Sequence, residues 1–399
     1  MKNVGASISL RTMRPLLIVA LLLVPVVTLW NVVVAPRSPK LEAVVGKKLG
    51  GVTEGGEPVA WSFHSVIDGS LQRAITDAVT VAIPVRPFLI RLSNSFRKRL
   101  FGIYGAPGVL VGREDELIEE NYLKEYCRRE LDALRDKAQS WIPQLRGLQD
   151  FFEAKGKQFV YLTSPSKVAH MPEKFVHLIE CRSGEKDRRD HLPVYETLLA
   201  SGGIRAVNAA SMTHSLRGRY EVNLFPRGGV HWNQLGVAHA ADAILAQINR
   251  RAGREIAPRL QWTYEITDRP TGTDTDLIDV ANELFGRPRY PVPKLTFAPG
   301  RPCEDWPVSK MKIAFVGGSF VHDVARMLIA QGCMRGLLSY NYLYRSVRGG
   351  EGYNVLKEKL GRDDVKLLRD ADIVILEENE AGLPGMTHAR HLHQIILED

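Results

Sequence analysis

Short apolar runs separated by helical periods recur through most of the chain, and this alternation fixes the class of fold before any single residue is considered. "QFVYLTSPSK", "IRAVNA", "MKIAFVGGS" and "ADIVILEENE" read as strands, with helical patterns over residues 128–155, in "LPVYETLLASGG", after His231 and in "VHDVARMLIAQG". Strands this uniformly apolar are buried on both faces, which calls for helices on either side of the sheet. The expected fold is therefore α/β, three-layered, with a mostly parallel sheet, over residues 106–399.

The N-terminal part is different in kind. Between Arg14 and Arg37 no residue is charged, and "PLLIVALLLVPVVTLWNVVVA" has the length of a membrane-crossing helix. The organisation expected is a short cytoplasmic tail over 1–14, a transmembrane anchor over 15–35, and a juxtamembrane linker and helical stem over 36–105. A cleaved signal peptide would have a shorter apolar region and a better cleavage site than the one ending before Pro36. The short tail favours an inside N-terminus, with the bulk of the chain exported. The basic run in "IRLSNSFRKRLFG" reads as a solvated face of the stem or as a contact with the membrane surface.

Composition narrows the function classes. The chain has 399 residues, 45% hydrophobic and 25% charged, which is globular and excludes disorder. The net charge of +8 suits an acidic partner, yet the basic residues are spread out with no nucleic-acid motif, so no nucleic acid is expected. Cys127, Cys181, Cys303 and Cys333 include no CxxC pair, which argues against a zinc ribbon. In an exported domain they can pair, in any of three ways.

The chemistry concentrates at two turns. In "KIAFVGGSFVHDVARML", Ser319 follows an apolar strand and two glycines, Gly317 and Gly318, at the mouth of a helix. There the backbone turns sharply and helix N–H groups face a developing oxyanion, so Ser319 can be a nucleophile; it can equally be a helix cap. In "FPRGGVHWNQLGVAHAADAI", His231 stands on a glycine turn before another helix. It can be a base, a metal ligand or a loop residue, and a serine nucleophile needs a base. Trp232 can stack on a sugar or pack against the helix; Tyr342, Tyr344 and Arg345 can line a cleft or form an ordinary loop. His388, His391 and His393 in "THARHLH" read as a solvated helix face rather than a metal site, and His322 lies near Ser319 in sequence. No metal and no cofactor are expected.

These residues carry a resemblance. "GVHWNQLG" and "FVGGSF", with "GVLVGREDELIEENYL", "VYLTSPSKVAHMPEKF" and "DADIVILEENE" in the same order, resemble the blocks of the SGNH-hydrolase-like polysaccharide O-acetyltransferases of the AlgJ and AlgX type, over roughly residues 85–385. The anchor and the lack of a long C-terminal extension are more similar to the AlgJ kind. The resemblance implies an SGNH-hydrolase-like fold and a Ser-His-Asp triad in which serine takes an acetyl group and passes it to a sugar hydroxyl. Ser319 matches the nucleophile and His231 the base. The triad aspartate falls at Gly229, and the residue before the nucleophile, usually aspartate, is Gly318.

The sequence thus leaves the histidine's orienter open among Glu377, Glu378, Glu380 and a backbone carbonyl, with a dyad or an inactive site as further alternatives. The oxyanion donors expected are the Ser319 N–H and a nearby glycine N–H. The resemblance implies a membrane-anchored O-acetyltransferase facing the periplasm, with a polysaccharide acceptor. No cytosolic acetyl-CoA reaches that side, so a multi-spanning membrane-bound O-acyltransferase partner would deliver the acetyl group. A carbohydrate acetylesterase and a non-catalytic polysaccharide-binding scaffold are the alternatives.

Overall fold

The computed structural model of the chain describes residues 49–51, 61–82, 86–127, 130–178, 191–284, 288–343 and 345–398. The anchor expected over 15–35 lies outside these. Among the described residues no helix is long and apolar enough to cross a membrane. The chain divides into two compact units: Met1–Pro107 with Ile278–Arg287, and Gly108–Leu277 with Pro288–Asp399.

In the first unit, helices α1 (Phe63–Ile67), α2 (Ser70–Ala82) and α3 (Arg86–Phe101) follow one another. Ser62 caps α1 by accepting from the Ser65 amide. The segment from Ile278 joins this unit through polar contacts of α3. Asn94 donates to the carbonyl of Ala281, and Lys98 pairs with Glu283 at 2.8 Å. Such a long-range partner is not visible in local sequence.

The second unit opens with a hairpin, β1 (Val109–Val111) and β2 (Leu117–Glu119), followed by α4 (Glu120–Cys127) and α5 (Leu131–Glu153). In α5, Leu134, Ala138, Trp141, Leu145, Leu148 and Phe152 recur at three- and four-residue spacing, and all are buried. That stripe is what a helix needs to lie on a sheet. Then come β3 (Gln158–Ser164), α6 (Lys167–His170), α7 (His191–Ser201), β4 (Ala206–Val207), α8 (Ala209–Ser215) and α9 (Gln234–Ala252). After these the chain forms β5 (Trp262–Thr267), α10 (Asp276–Val280), β6 (Val292–Phe297), β7 (Ile313–Gly317) and α11 (Val321–Ala330). The remainder is β8 (Leu337–Asn341), β9 (Ser346–Gly349), β10 (Asn354–Lys357), α12 (Arg362–Asp370), β11 (Ile373–Asn379) and α13 (Thr387–Leu397).

The main sheet has the order β10-β9-β8-β7-β11-β3-β4. From β8 to β4 every pairing is parallel, whereas β8, β9 and β10 pair antiparallel. The sheet is therefore mixed, where the sequence suggested a mostly parallel one. The connections at that edge, residues 342–345 and 350–353, are too short for the crossover that a parallel neighbour requires. β11 is central, in register with β3 from Ile373↔Gln158 to Asn379↔Ser164 and with β7 from Ile373↔Ile313 to Leu376↔Val316. One part of the core lies between this sheet and α5, α7 and α13, and α9 and α11 carry a second buried apolar set that includes Ile244, Leu245, Val324 and Leu328. Cys303 and Cys333 are disulfide-bonded, closing the far end of α11 onto the loop before β7, and Cys127 is also in a disulfide.

Candidate active site

The carboxyl ends of β7, β11 and β3 bring Gly317, Asn379 and Ser164 to one edge of the sheet, where an open α/β fold collects its working groups. Ser319 stands just past β7. A Cβ on Gly317 would lie 2.4 Å from Val321 Cγ1 and 2.7 Å from Glu377 Oε2, so only glycine fits the strand-to-helix corner. α11 begins at Val321 with Phe320 as its cap and no side-chain cap bond. The Ser319 hydroxyl is thus not spent on capping. It donates instead to His231 Nε2, at 2.8 Å.

His231 is set by the start of α9. Asn233 caps that helix, its Oδ1 accepting from the amides of Leu235 and Gly236 at 3.1 and 3.3 Å. The imidazole lies against the Phe320 ring at a centroid distance of 4.6 Å, so the neighbour of the serine also braces the histidine. Its Nδ1–H donates to Asp276 Oδ2 in a very short bond. The other oxygen of Asp276 accepts from the Val230 amide at 2.9 Å. A carboxylate can only accept, so Nδ1 carries the proton and Nε2 is left as the acceptor facing the serine.

Asp276 is the carboxylate bonded to His231, and sequence reasoning missed it. It lies in "GTDTDLIDV", downstream of the histidine and upstream of the serine, with no spacing rule that marks it. Its segment is fastened from both sides. Asp323 on α11 accepts from Thr273 Oγ1 at 2.5 Å, and the Leu277 amide donates to the carbonyl of Gly228 at 3.1 Å. Gly229 is the reason that this segment can come so close. A Cβ there would lie 2.1 Å from the carbonyl oxygen of Thr273 and 3.2 Å from Asp276 Oδ1. The position where the resemblance implied an aspartate is kept empty, and a carboxylate from another segment fills the place. Gly229→Ala is accordingly expected to push the Asp276 segment off His231 and slow any His231-dependent acylation by roughly 10²-fold, read as the rate of adduct formation from an activated acetyl ester.

The glutamates proposed as orienters are occupied elsewhere. Glu378 is buried in the core, accepting from Tyr161 at 2.6 Å, from Trp141 at 3.0 Å and from the Met386 amide. Burial pushes its pKa up, and those donors work against the rise. Glu380 accepts from the Ser166 amide at 3.0 Å and bonds His214 Nε2 at 2.9 Å. Glu377 lies beneath the serine turn, bonded to Ser164, and accepts from the Gly318 amide at 2.8 Å. That bond corrects the oxyanion expectation for Gly318 alone. The Gly318 N–H is already taken, and the Gly317 carbonyl accepts from Tyr342.

Around these three side chains, Trp232 is almost fully buried, with 1% of its surface exposed, and packs against Phe320. It therefore forms a wall and is not free to stack on a sugar. Tyr342 is half-buried with its ring over Gly318, and the exposed Arg345 guanidinium lies 4.9 Å from that ring. Tyr342 borders the serine turn, and Arg345 reaches it only through that ring; Tyr344 lies outside the described residues. His322 bonds the Tyr353 hydroxyl at 2.9 Å, and burial, aided by the charges of Arg348, His231 and Arg326, pushes its pKa down to about 3. It is neutral throughout the physiological range. His388 is buried and bonds the Glu377 carbonyl, and among the described residues no three His, Cys, Asp or Glu side chains converge as a metal site.

Burial works to lower the pKa of His231, but the bond and charge of Asp276, with the charges of Asp323 and Glu119, outweigh it and leave the pKa above the ordinary 6.5. A base must be neutral to take a proton, so acylation is expected to rise with pH through a midpoint above 6.5. In Asp276→Asn the raising influence is largely gone and burial remains, so the limb moves to lower pH. A pH–rate profile of acylation for the two proteins checks both the position and the sign.

The chain's sequence matches the family described as the SGNH hydrolase-like domain of acetyltransferase AlgX over residues 122–377. No curated protein matches it at the sequence level. Among solved structures it is similar to the O-acetyltransferase domain of Pseudomonas putida AlgJ, with 18% identity over 73% of this chain and 100% of that one, at a TM-score of 0.44. It is also similar to Pseudomonas aeruginosa AlgX, with 14% identity over 72% and 66% of the two chains and a TM-score of 0.43. For Bacillus cereus PatB1 the values are 11%, 70%, 98% and 0.40. With the family model spanning well over half of the chain, this protein belongs to the SGNH hydrolase-like acetyltransferases of the AlgX family.

Proposed function

We propose that this protein is a membrane-anchored, extracytoplasmic O-acetyltransferase that acetylates a polysaccharide through an acetyl-serine intermediate. The observation that carries the reading is the unbroken line Ser319 Oγ, His231 Nε2, His231 Nδ1, Asp276 Oδ2. In the first half-reaction Ser319 Oγ attacks the acetyl carbonyl carbon of the donor while His231 Nε2 takes the hydroxyl proton. The donor's leaving oxygen then departs with that proton, and Ser319 holds the acetyl group. In the second half a sugar hydroxyl attacks the acetyl carbon, giving its proton to His231, which returns it to Ser319 Oγ. Asp276 stabilises the imidazolium in both halves without itself becoming protonated. The oxyanion donor at this corner is the Ser319 N–H ahead of α11, the glycine before it being engaged by Glu377.

The uncharged stretch of residues 15–35 supports the anchor, and an anchored domain outside the cytoplasm needs a membrane-bound O-acyltransferase to hand it acetyl groups. Transfer separates this reading from hydrolysis. The full chain, charged with a labelled acetyl ester in detergent, is expected to deliver label to an added polysaccharide faster than to water. Release to water alone, unchanged by any acceptor, would make it an esterase.

A further inference from the structure

Lys167 opens α6 just beyond β3, and none of its side chain reaches solvent. Its ammonium is surrounded by five oxygens: the carbonyls of Leu117 at 2.9 Å, Pro226 at 2.7 Å, Arg227 at 3.2 Å and Gly229 at 2.9 Å, and Glu116 Oε2 at 2.9 Å. The carbonyls can only accept, and a carboxylate pairs best with a charged donor, so the group is held as an ammonium. A buried charge of this kind is costly, and an apolar pair would often fill the volume as stably. What an apolar side chain does not supply is a centre on which several carbonyls converge.

Three of those carbonyls come from one short loop, residues 226–229, which leads directly into the site. The loop curls around the ammonium and places Gly229 against Thr273. The next amide, Val230 N–H, then reaches Asp276, and the next side chain is the His231 imidazole. On the far side, Gly228 N–H donates to the Tyr290 hydroxyl at 3.2 Å, and that hydroxyl donates to the Asp274 carbonyl. Tyr290 and Leu277 fasten the loop to the aspartate's segment, whereas Lys167 fastens it to β2 and β3.

We propose that Lys167 is a positioning residue: by gathering the 226–229 carbonyls it sets where the Val230 amide and the His231 ring stand relative to Asp276. The proposal rests on the reading of Ser319, His231 and Asp276 as a working triad, and the test separates the two.

The full chain in detergent, labelled with ¹⁵N-histidine, is titrated by NMR, the His231 signal being assigned by its loss in His231→Gln. The parent is compared with Lys167→Met/Glu116→Leu, which removes both charges together, and with Lys167→Gln, which keeps two donors in the cradle as a milder variant. Circular dichroism and melting report whether each is folded. In the folded variants the His231 midpoint is expected to shift from the parent's, less for Lys167→Gln. Acetyl-adduct formation is expected to slow roughly 10- to 100-fold in the double variant. A folded variant with the parent's midpoint and the parent's rate would overturn the proposal, since a purely structural lysine changes melting alone. If the parent forms no Ser319 adduct, the triad reading fails, and the His231 midpoint still decides whether Lys167 governs the histidine.

Discussion

Replacing Ser319 with alanine is expected to abolish acetyl-enzyme formation and to lower transfer by about 10⁶-fold, the scale seen when a serine nucleophile is removed from a triad. Ser319 is half-buried and its hydroxyl bonds His231, itself half-buried, so the deletion leaves no fully buried partner stranded in the core. Stability should therefore be close to that of the parent. His322, three residues on, is a useful control because it belongs to a separate pair with Tyr353. His322→Gln should retain the adduct, whereas Ser319→Ala should lose it. Intact-mass kinetics with an activated acetyl ester, alongside melting curves, reads both.

Asp276→Asn is expected to cost about 10⁴-fold in the same assay, as it does where the triad acid is replaced by its amide elsewhere. The physical reason is tautomer control. An amide placed at Oδ2 can present its NH₂ to Nδ1, which then becomes the acceptor, and Nε2 carries the proton on the side where the serine needs a base. The loss is thus larger than removal of one hydrogen bond implies. The Val230 amide still finds an oxygen on the asparagine, so the loop should hold its place. Glu378→Gln and Glu380→Gln serve as the contrast. Their carboxylates bond Tyr161 and Trp141, or His214 and Ser166, so their removal should alter stability well before it alters the chemistry.

Much of this architecture was legible from residue order. A strand, two glycines, a serine and a helix can be read along "KIAFVGGSFVHDV" because each step is local: apolar burial, turn chemistry, then helical period. The histidine ahead of the Asn233 cap was legible for the same reason. The acid was not, because its selection depends on a vacancy. Gly229 lacks the side chain that would exclude the Thr273 carbonyl, and this long-range fit leaves no periodic trace.

The glutamates misled because "EENE" closes the strand next to the nucleophile, and proximity along the sheet is not orientation. Successive strand residues point to opposite faces, so Glu378 enters the layer beside Trp141, whereas Glu377 turns under the serine corner. The antiparallel edge was missed because β9 is short and only partly buried and β10 is short and exposed, so both lack the apolar run that marks the central strands.

The most direct measurement is intact-mass spectrometry, with peptide mapping, of the full chain exposed to an activated acetyl ester from mildly acidic to mildly alkaline pH. The account predicts a single acetyl group on Ser319, formed faster as pH rises through a midpoint above 6.5, absent in Ser319→Ala and nearly absent in Asp276→Asn. An adduct rate that is the same in the parent and in Asp276→Asn, or acetylation that persists without Ser319, would contradict it.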